Sequence, residues 1–480
     1  MDNKAILSGF IWRFLERCGA QGITLVVSII LARLLSPEIY GTVSLILVFL
    51  TILEVFVDSG LGNALIQKKD SDYIDFSSVF YSNVIISLIL YWLMWFAAPV
   101  ISNFYNLPEL VLYIRVLSLN LIIAALKNIQ VAYVSKYLLF QKFFLATLIG
   151  SLTSGVVGIS LAYAGFGVWA IIAQSLSNSF FDTIALWFFV KWRPRRVYSF
   201  ERFKSLFAFA WKLLATNLID TIYQKIRQLI IGKVYSAADL AFYNQGQQIP
   251  YAIISNINTA IDSVLLPAFS SVQDNIERVK QMTRRSISTS VYIITPLLLC
   301  LYSISQPLVA IVLTEKWLPC VFFLRVSCIA FIFTPINTAN INAIKALGRS
   351  DLVLKLEIIK KIVGIIVLIV TMFKGVKAIA IGLAIVSFLG LIINAWPNRK
   401  LLGYGYYQQL KDVMPAIILS SIMALIIYYI QYLDLNNAIT IFIQIVLGLL
   451  IYIIGSKLFR IDGFLYLTNL LKSYARKEKQ

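Results

Sequence analysis

The stretch Leu50–Asp70, LTILEVFVDSGLGNALIQKKD, begins as an almost unbroken apolar run and sets two carboxylates, Glu54 and Asp58, inside it. They are four residues apart, so a helix places both on one face. Whether that face looks into water or into a membrane protein depends on the rest of the chain. Of its 480 residues, 59% are hydrophobic and only 14% charged, and the mean hydropathy is +0.82. A soluble fold cannot hide that much apolar surface, so lipid is the solvent for most of this chain.

A helix needs about 20 apolar residues to cross the hydrocarbon core. That criterion gives fourteen spans, near 10–34, 41–59, 76–98, 111–133, 143–162, 168–190, 207–231, 248–270, 287–306, 321–344, 353–373, 376–396, 413–432 and 438–456. With the N-terminus in the cytoplasm, the inward segments hold 29 Lys and Arg, and the outward ones hold four, Lys233, Lys316, Lys374 and Lys377. One miscounted span would scramble this positive-inside asymmetry. The expectation is an all-α polytopic membrane protein with both termini cytoplasmic. The net charge of +19 therefore reports topology and not a nucleic-acid partner.

Several chemistries drop out. His is absent, which removes the commonest metal ligand and the usual base near neutral pH. Cys18, Cys300, Cys320 and Cys328 lack metal spacing and sit in or beside apolar runs, so neither zinc nor a disulfide framework is expected. Span one contains Arg13, Glu16 and Arg17 and lacks a small-residue cleavage site, so it reads as a retained helix. Walker-type loops, dinucleotide motifs and nucleophile triads are missing, and no cofactor is expected.

A weak internal repeat runs through the chain. IILARLLSPEIYG (29–41) resembles LIIGKVYSAADLAFY (229–243), and GVWAI (167–171) resembles GVKAI (375–379). Asn128, Lys136 and Gly155 fall on Asn337, Lys345 and Gly364 at one offset. The implied organisation is a six-helix bundle over 1–190, a basic linker over 191–206, a second bundle over 207–396, and helices 13–14 with a basic tail over 397–480. An even number of helices per half makes the repeat parallel, and doubled bundles of this kind hold a site between their halves.

The polar residues gather on equivalent helices. In span one, Arg13, Arg17, Gln21, Thr24 and Ser28 make a stripe, with Glu16 beside it. In span seven, Lys212, Thr216, Asp220, Gln224 and Gln228 make another, flanked by Asn217, Lys225 and Arg227. Thr51, Glu54 and Asp58 in span two, and Ser255, Asn258 and Asp262 in span eight, repeat the pattern. Charges at membrane depth are costly, so such stripes face a wet cavity or each other. Two readings stay open. In one, Arg13/Arg17 pair with Glu54/Asp58 and Lys212 pairs with Asp262, as helix locks. In the other, favoured for the stripes together, a cationic cavity takes an anionic ligand while carboxylates exchange protons.

Three further features are weaker. Asn337 and Asn340 share one face of span ten, suited to amide bonds between helices or to sugar contact. The run KWRPRRVYSFERFK (191–204) reads as a topology anchor against phospholipid. Gly155 and Gly158 suit close helix packing rather than phosphate binding.

ARLLSPEIYGTVSLILVF (32–49), followed by DSGLGNALIQKK (58–69), resembles the bacterial polysaccharide flippases. These are the Wzx-type members of the MATE-like multidrug/oligosaccharidyl-lipid/polysaccharide (MOP) superfamily, in the branch of colanic-acid and teichuronic-acid exporters. The family's motif maps onto Arg33–Gly41 and Asp58–Gly62. The resemblance implies a V-shaped pair of six-helix bundles in the bacterial cytoplasmic (inner) membrane. It implies flipping of undecaprenyl-diphosphate-linked oligosaccharide, coupled to a cation gradient, with polymerase or chain-length machinery as partners and a monomeric state.

On this sequence's own stripes, Arg13, Arg17, Lys212, Lys225 and Arg227 are expected to attract the diphosphate. Glu54, Asp58, Asp220 and Asp262 are expected to balance charge or couple protons, and Gln21, Thr24, Asn217, Gln224 and Asn258 to line the cavity. The alternatives are a small-molecule antiporter of the same fold, a membrane polymerase or glycosyltransferase, and a scaffold. An antiporter for cationic drugs wants a net-acidic cavity, whereas spans one, two, seven and eight carry six basic residues against five acidic. An enzyme wants a sizeable outward loop with acid/base groups, and the outward loops are short and nearly uncharged. Of the opening pair, Glu54 lies deeper and is the better functional candidate, while Asp58 closes a helix.

Overall fold

The computed structural model describes residue 19 and residues 22–58, 60–433 and 435–477. Among them all regular structure is helical, with no strand. The first helices are α1 (Gly22–Leu34), α2 (Pro37–Asp58), α3 (Leu61–Gln67) and α4 (Tyr73–Tyr105). α5 (Leu110–Leu117), α6 (Leu119–Lys136), α7 (Phe140–Tyr163), α8 (Val168–Phe189) and α9 (Phe200–Val234) follow. Beyond them lie α10 (Ala237–Ser270), α11 (Ile276–Val312), α12 (Cys320–Phe331), α13 (Thr334–Ala346) and α14 (Ser350–Thr371). The last four are α15 (Val376–Leu401), α16 (Tyr406–Tyr429), α17 (Asn437–Leu458) and α18 (Asp462–Lys477).

Nine stretches among the described residues are long and apolar enough to cross a membrane, which makes this a multi-pass membrane protein. α9 and α10, with 35 and 34 residues, are longer than most of the nine but more polar. The polar stripes that single these two helices out are also what takes them out of the apolar class.

Local chemistry explains the helix boundaries. α2 opens on Pro37, whose fixed φ suits a first helical position where no N–H partner is needed. α4 opens on a reciprocal cap: Asp72 accepts from the Ile74 and Asp75 amides at 3.0 Å each, and the Asp72 amide donates to Asp75 at 3.1 Å. Asp58 ends α2, and Gly60 follows in the left-handed region at φ 65°. A side chain on Gly60 would meet the Ala210 carbonyl of α9 at 3.0 Å, so glycine serves both the turn and the close approach. α3 then buries Leu61, Ala64 and Leu65.

Two pairs of elements begin and break alike. α2 begins at 37 and α10 at 237, each just after a Ser that bonds back to an acid in the first turn. The stretch Leu110–Lys136 is 27 residues long and breaks between α5 and α6. Its counterpart, Cys320–Ala346, has the same length and breaks between α12 and α13.

Contacts divide the chain into two compact units, 1–241 and 242–480. In the first, α9 lies against α2, α3 and α4, and α7 packs along α8. Side chains added at Gly150 and Gly158 would stand 2.7 Å from Asp182 and Gln174 of α8, so small residues set that spacing. Gly41 of α2 meets the Ala237 carbonyl at the start of α10 so closely that no side chain fits. The core of the second unit joins Val279, Ile287 and Val291 of α11 to Ile336, Leu391, Val413, Met423 and Tyr452. Large apolar side chains such as Phe188, Phe373 and Phe442 remain exposed on the units' surfaces, as lipid permits.

Candidate functional site

In the first unit, four helices contribute one alternating row of charge. Lys127 of α6 forms an ion pair with Asp182 of α8, which is buried. Glu54 of α2 feels Lys225 of α9 and Lys127 electrostatically. The row therefore runs Lys225, Glu54, Lys127, Asp182, with two cations and two carboxylates. Glu54 is exposed and Lys225 half-buried, whereas Asp182 is closed off. Removing water strengthens each interaction in such a row and raises the cost of leaving one member unpaired.

α9 carries the open polar face. Lys212, Thr216, Asn217 and Gln224 are exposed and Asp220 is half-buried. Arg227 is placed differently: it is 7% exposed, and its guanidinium lies 5.2 Å from the Tyr223 ring centre. On α2, Asp58 is exposed at the helix end, and on α1 Thr24 is exposed. Arg13, Arg17 and Gln21 lie outside the described residues.

In the second unit, Asp262 of α10 accepts from the Asn342 amide of α13 at 2.6 Å. Asn258, one turn earlier, is half-buried with its amide oxygen lacking a partner among the described residues. Asn340 takes part in helix-to-helix bonding. Its Nδ2 donates to Gln409 Oε1 at 2.8 Å, and its Oδ1 accepts from Gln409 Nε2 at 2.8 Å and from Asn398 Nδ2 at 2.6 Å. Asn337 accepts from Asn394 at 2.9 Å. Asn340 is therefore amide bonding between helices.

Other intramembrane cations also find partners. Arg115 stacks 4.4 Å from the Trp95 ring centre. Arg325 lies between Tyr302 and Tyr428, at 5.4 and 5.1 Å, and donates to Ser305 at 2.8 Å. The linker is docked: the amides of Arg195 and Ser199 donate to Ser77 and Ser78 of α4 at 3.1 and 3.0 Å. Arg202 pairs with Asp72 at 2.5 Å. Asp182, Asp75, Asn394, Asn398 and Gln409 lie outside the polar stripes that helical spacing marks in the sequence.

The family model described as "Polysaccharide biosynthesis protein" matches residues 30–322. The chain belongs to the polysaccharide biosynthesis protein family. Among its relatives is the succinoglycan biosynthesis transport protein ExoT of Rhizobium meliloti (strain 1021), 23% identical over 66% of this chain and 64% of that protein. The chain thus spans slightly under two thirds of that relative. The teichuronic acid biosynthesis protein TuaB of Bacillus subtilis (strain 168) is 25% identical over 78% of each chain. The lipopolysaccharide biosynthesis protein WzxC of Escherichia coli (strain K12) is 22% identical over 86% and 84%.

Solved structures agree on the fold. The lipid II flippase MurJ in an inward closed conformation superposes with TM-score 0.78 at 16% identity, covering 95% of this chain and 99% of that one. An inward-facing multidrug resistance MATE family transporter of the MOP superfamily gives 0.64 at 17%, over 79% and 94%. This family member is therefore an all-helical membrane protein with the fold of MOP-superfamily transporters.

Proposed function

We propose that this family member flips undecaprenyl-diphosphate-linked oligosaccharide units across the bacterial cytoplasmic membrane by alternating access, for surface polysaccharide synthesis. The observation that carries the reading is the open polar face of α9, where Lys212 is exposed among lipid-type helices and Lys225 is half-buried. Cations at membrane depth suit a ligand with a diphosphate, which brings its own negative charge. Family membership supplies the polysaccharide context. In this reading fourteen helices cross the membrane with both ends inside, and Glu54, Asp58, Asp220 and Asp262 are the candidates for charge balance or cation coupling. Arg13 and Arg17 join the two lysines in drawing the diphosphate, and Arg227, buried beside Tyr223, adds its charge through space without touching the ligand.

The second reading is a small-molecule antiporter, favoured by the superposition on MATE transporters. A deletion strain separates the two. Flipping predicts that complete lipid-linked repeat units accumulate on the cytoplasmic side. Normal surface polysaccharide together with lost drug resistance would overturn the proposal.

A further inference from the structure

The second unit contains a polar cavity apart from the charged row and the amide network. Its volume is about 460 Å3. One wall is a single face of α11, made by Gln281, Arg284, Arg285, Ser288 and Thr289 at helical spacing. The other is the start of α18, with Asp462, Gly463 and Tyr466. Glycine at 463 is required there, because a side chain would stand 2.6 Å from Tyr292 of α11. The two helices are thus held close together beside the cavity.

The charges on these walls do not neutralise each other. Arg284 is held from behind, with Nη2 donating to Asp412 at 2.7 Å. Asp412 also accepts from the Tyr404 hydroxyl at 2.8 Å, which fixes it. Arg285 is exposed, lies 5.9 Å from the Tyr466 ring centre and forms no ion pair among the described residues. Asp462 is exposed on the facing wall and has no ion-pair partner among the described residues. Its carboxylate acts on Arg284 only through space. Two guanidinium groups and one carboxylate therefore face one cavity while standing too far apart to pair.

We infer that this cavity binds the head group of a phospholipid carrying both a phosphate and a primary amine. Arg285 and the free N–H groups of Arg284 take the phosphate oxygens, helped by the hydroxyls of Ser288 and Thr289. Asp462 takes the ammonium. A simple anionic head group would satisfy the arginines and be repelled by Asp462, whereas a zwitterion uses both walls. An apolar track leads away from the cavity: Ile293 and Leu297 follow Thr289 at four-residue steps on the same α11 face. They are 38% and 46% exposed. That track suits an acyl chain and selects a membrane lipid over a soluble phosphate ester. The basic residues around Arg284 also place this end of α11 at the membrane surface.

The test is native mass spectrometry of the full chain in detergent, titrated with equal amounts of phosphatidylethanolamine and phosphatidylglycerol. The expected result is preferential retention of one phosphatidylethanolamine. R285Q should weaken that retention about tenfold, the size of one charge-assisted contact. D462N should erase the preference over phosphatidylglycerol without erasing binding. If R285Q does not fold, the paired change S288A/T289V removes two donors and should also weaken retention. Equal retention of both lipids, or retention unchanged in R285Q and D462N, overturns the assignment. Competition by free phosphoethanolamine at the lipid's own concentration would show a soluble-ligand site and equally overturn the lipid.

Discussion

Lys127 and Asp182 form an ion pair that ties α6 to α8 inside the first unit, with the Asp182 side chain 3% exposed and that of Lys127 26%. The α7–α8 contact packs against the same residue, since a side chain at Gly150 would stand 2.7 Å from the Asp182 Cβ. A charge enclosed in this way depends on its partner.

Removing one partner leaves an uncompensated buried charge, at a cost of about 3 kcal/mol. D182N and K127M should therefore each lower the thermal midpoint of the purified protein and its level in the membrane. The double variant K127M/D182L removes both charges and should recover most of the loss. A double variant no more stable than the worse single one would show that the pair is not what holds these helices.

The linker clamp gives a pH expectation. Burial pushes the Asp72 carboxyl up, but the Asp75 amide, the Arg202 guanidinium and the Ile74 amide outweigh it and hold it below the usual range. A depressed carboxyl contributes stability above its unfolded value of about 3.9 and loses it as pH falls through the folded value. Protease protection of residues 190–200 should thus be constant from neutral pH to about 4 and fall below that. R202Q should remove the protection at every pH. Loss of protection already between pH 7 and 5 would exclude Asp72 as the titrating group.

Much of this architecture is legible in the sequence, for a physical reason. Lipid leaves only helices as a solution for a long apolar run, so 59% hydrophobic composition and basic loops fix the class. The helix end at Asp58 is readable from the glycines that follow it, whereas the approach of Gly60 to α9 is not. The Lys127–Asp182 pair is harder. Each residue is a lone charge, in spans 111–133 and 168–190, and only the topology reveals that both spans run the same way and bring the two to similar depth. Arg227 looks like a member of the polar stripe at three- and four-residue spacing, yet it is buried against Tyr223. Spacing locates a residue around its own helix but cannot say which neighbour covers it.

The amide network of the second unit predicts a stability effect without a charge. Asn340 is fully buried and serves Gln409 and Asn398 at once. N340A strands buried donors and acceptors on two other helices, at a cost of about 2 kcal/mol. Combining N340L with N398L and Q409L replaces the whole network by apolar groups and should destabilise less than N340A, as measured by melting in detergent. If the triple variant is the least stable, packing volume rather than hydrogen bonding governs this site.

The charged row offers the functional experiment. Glu54 is the exposed acid of the row, acted on by Lys225 and Lys127 from two other helices. E54K alone gathers three cations and should disturb folding as well as export, so it cannot separate the two. E54Q keeps the shape and removes the charge. If Glu54 carries the coupling cation, E54Q should fold at a normal level and lose export by about tenfold or more, the equivalent of 1.4 kcal/mol, whereas a Glu54 that only balances the lysines should lower folding together with export. The swap E54K/K225E sharpens this. It keeps one acid and one base in reach of each other, so a purely structural pair regains both folding and export. A coupling acid must sit on α2, so the swap then restores folding and leaves export low. Normal export by E54Q removes Glu54 from the mechanism altogether.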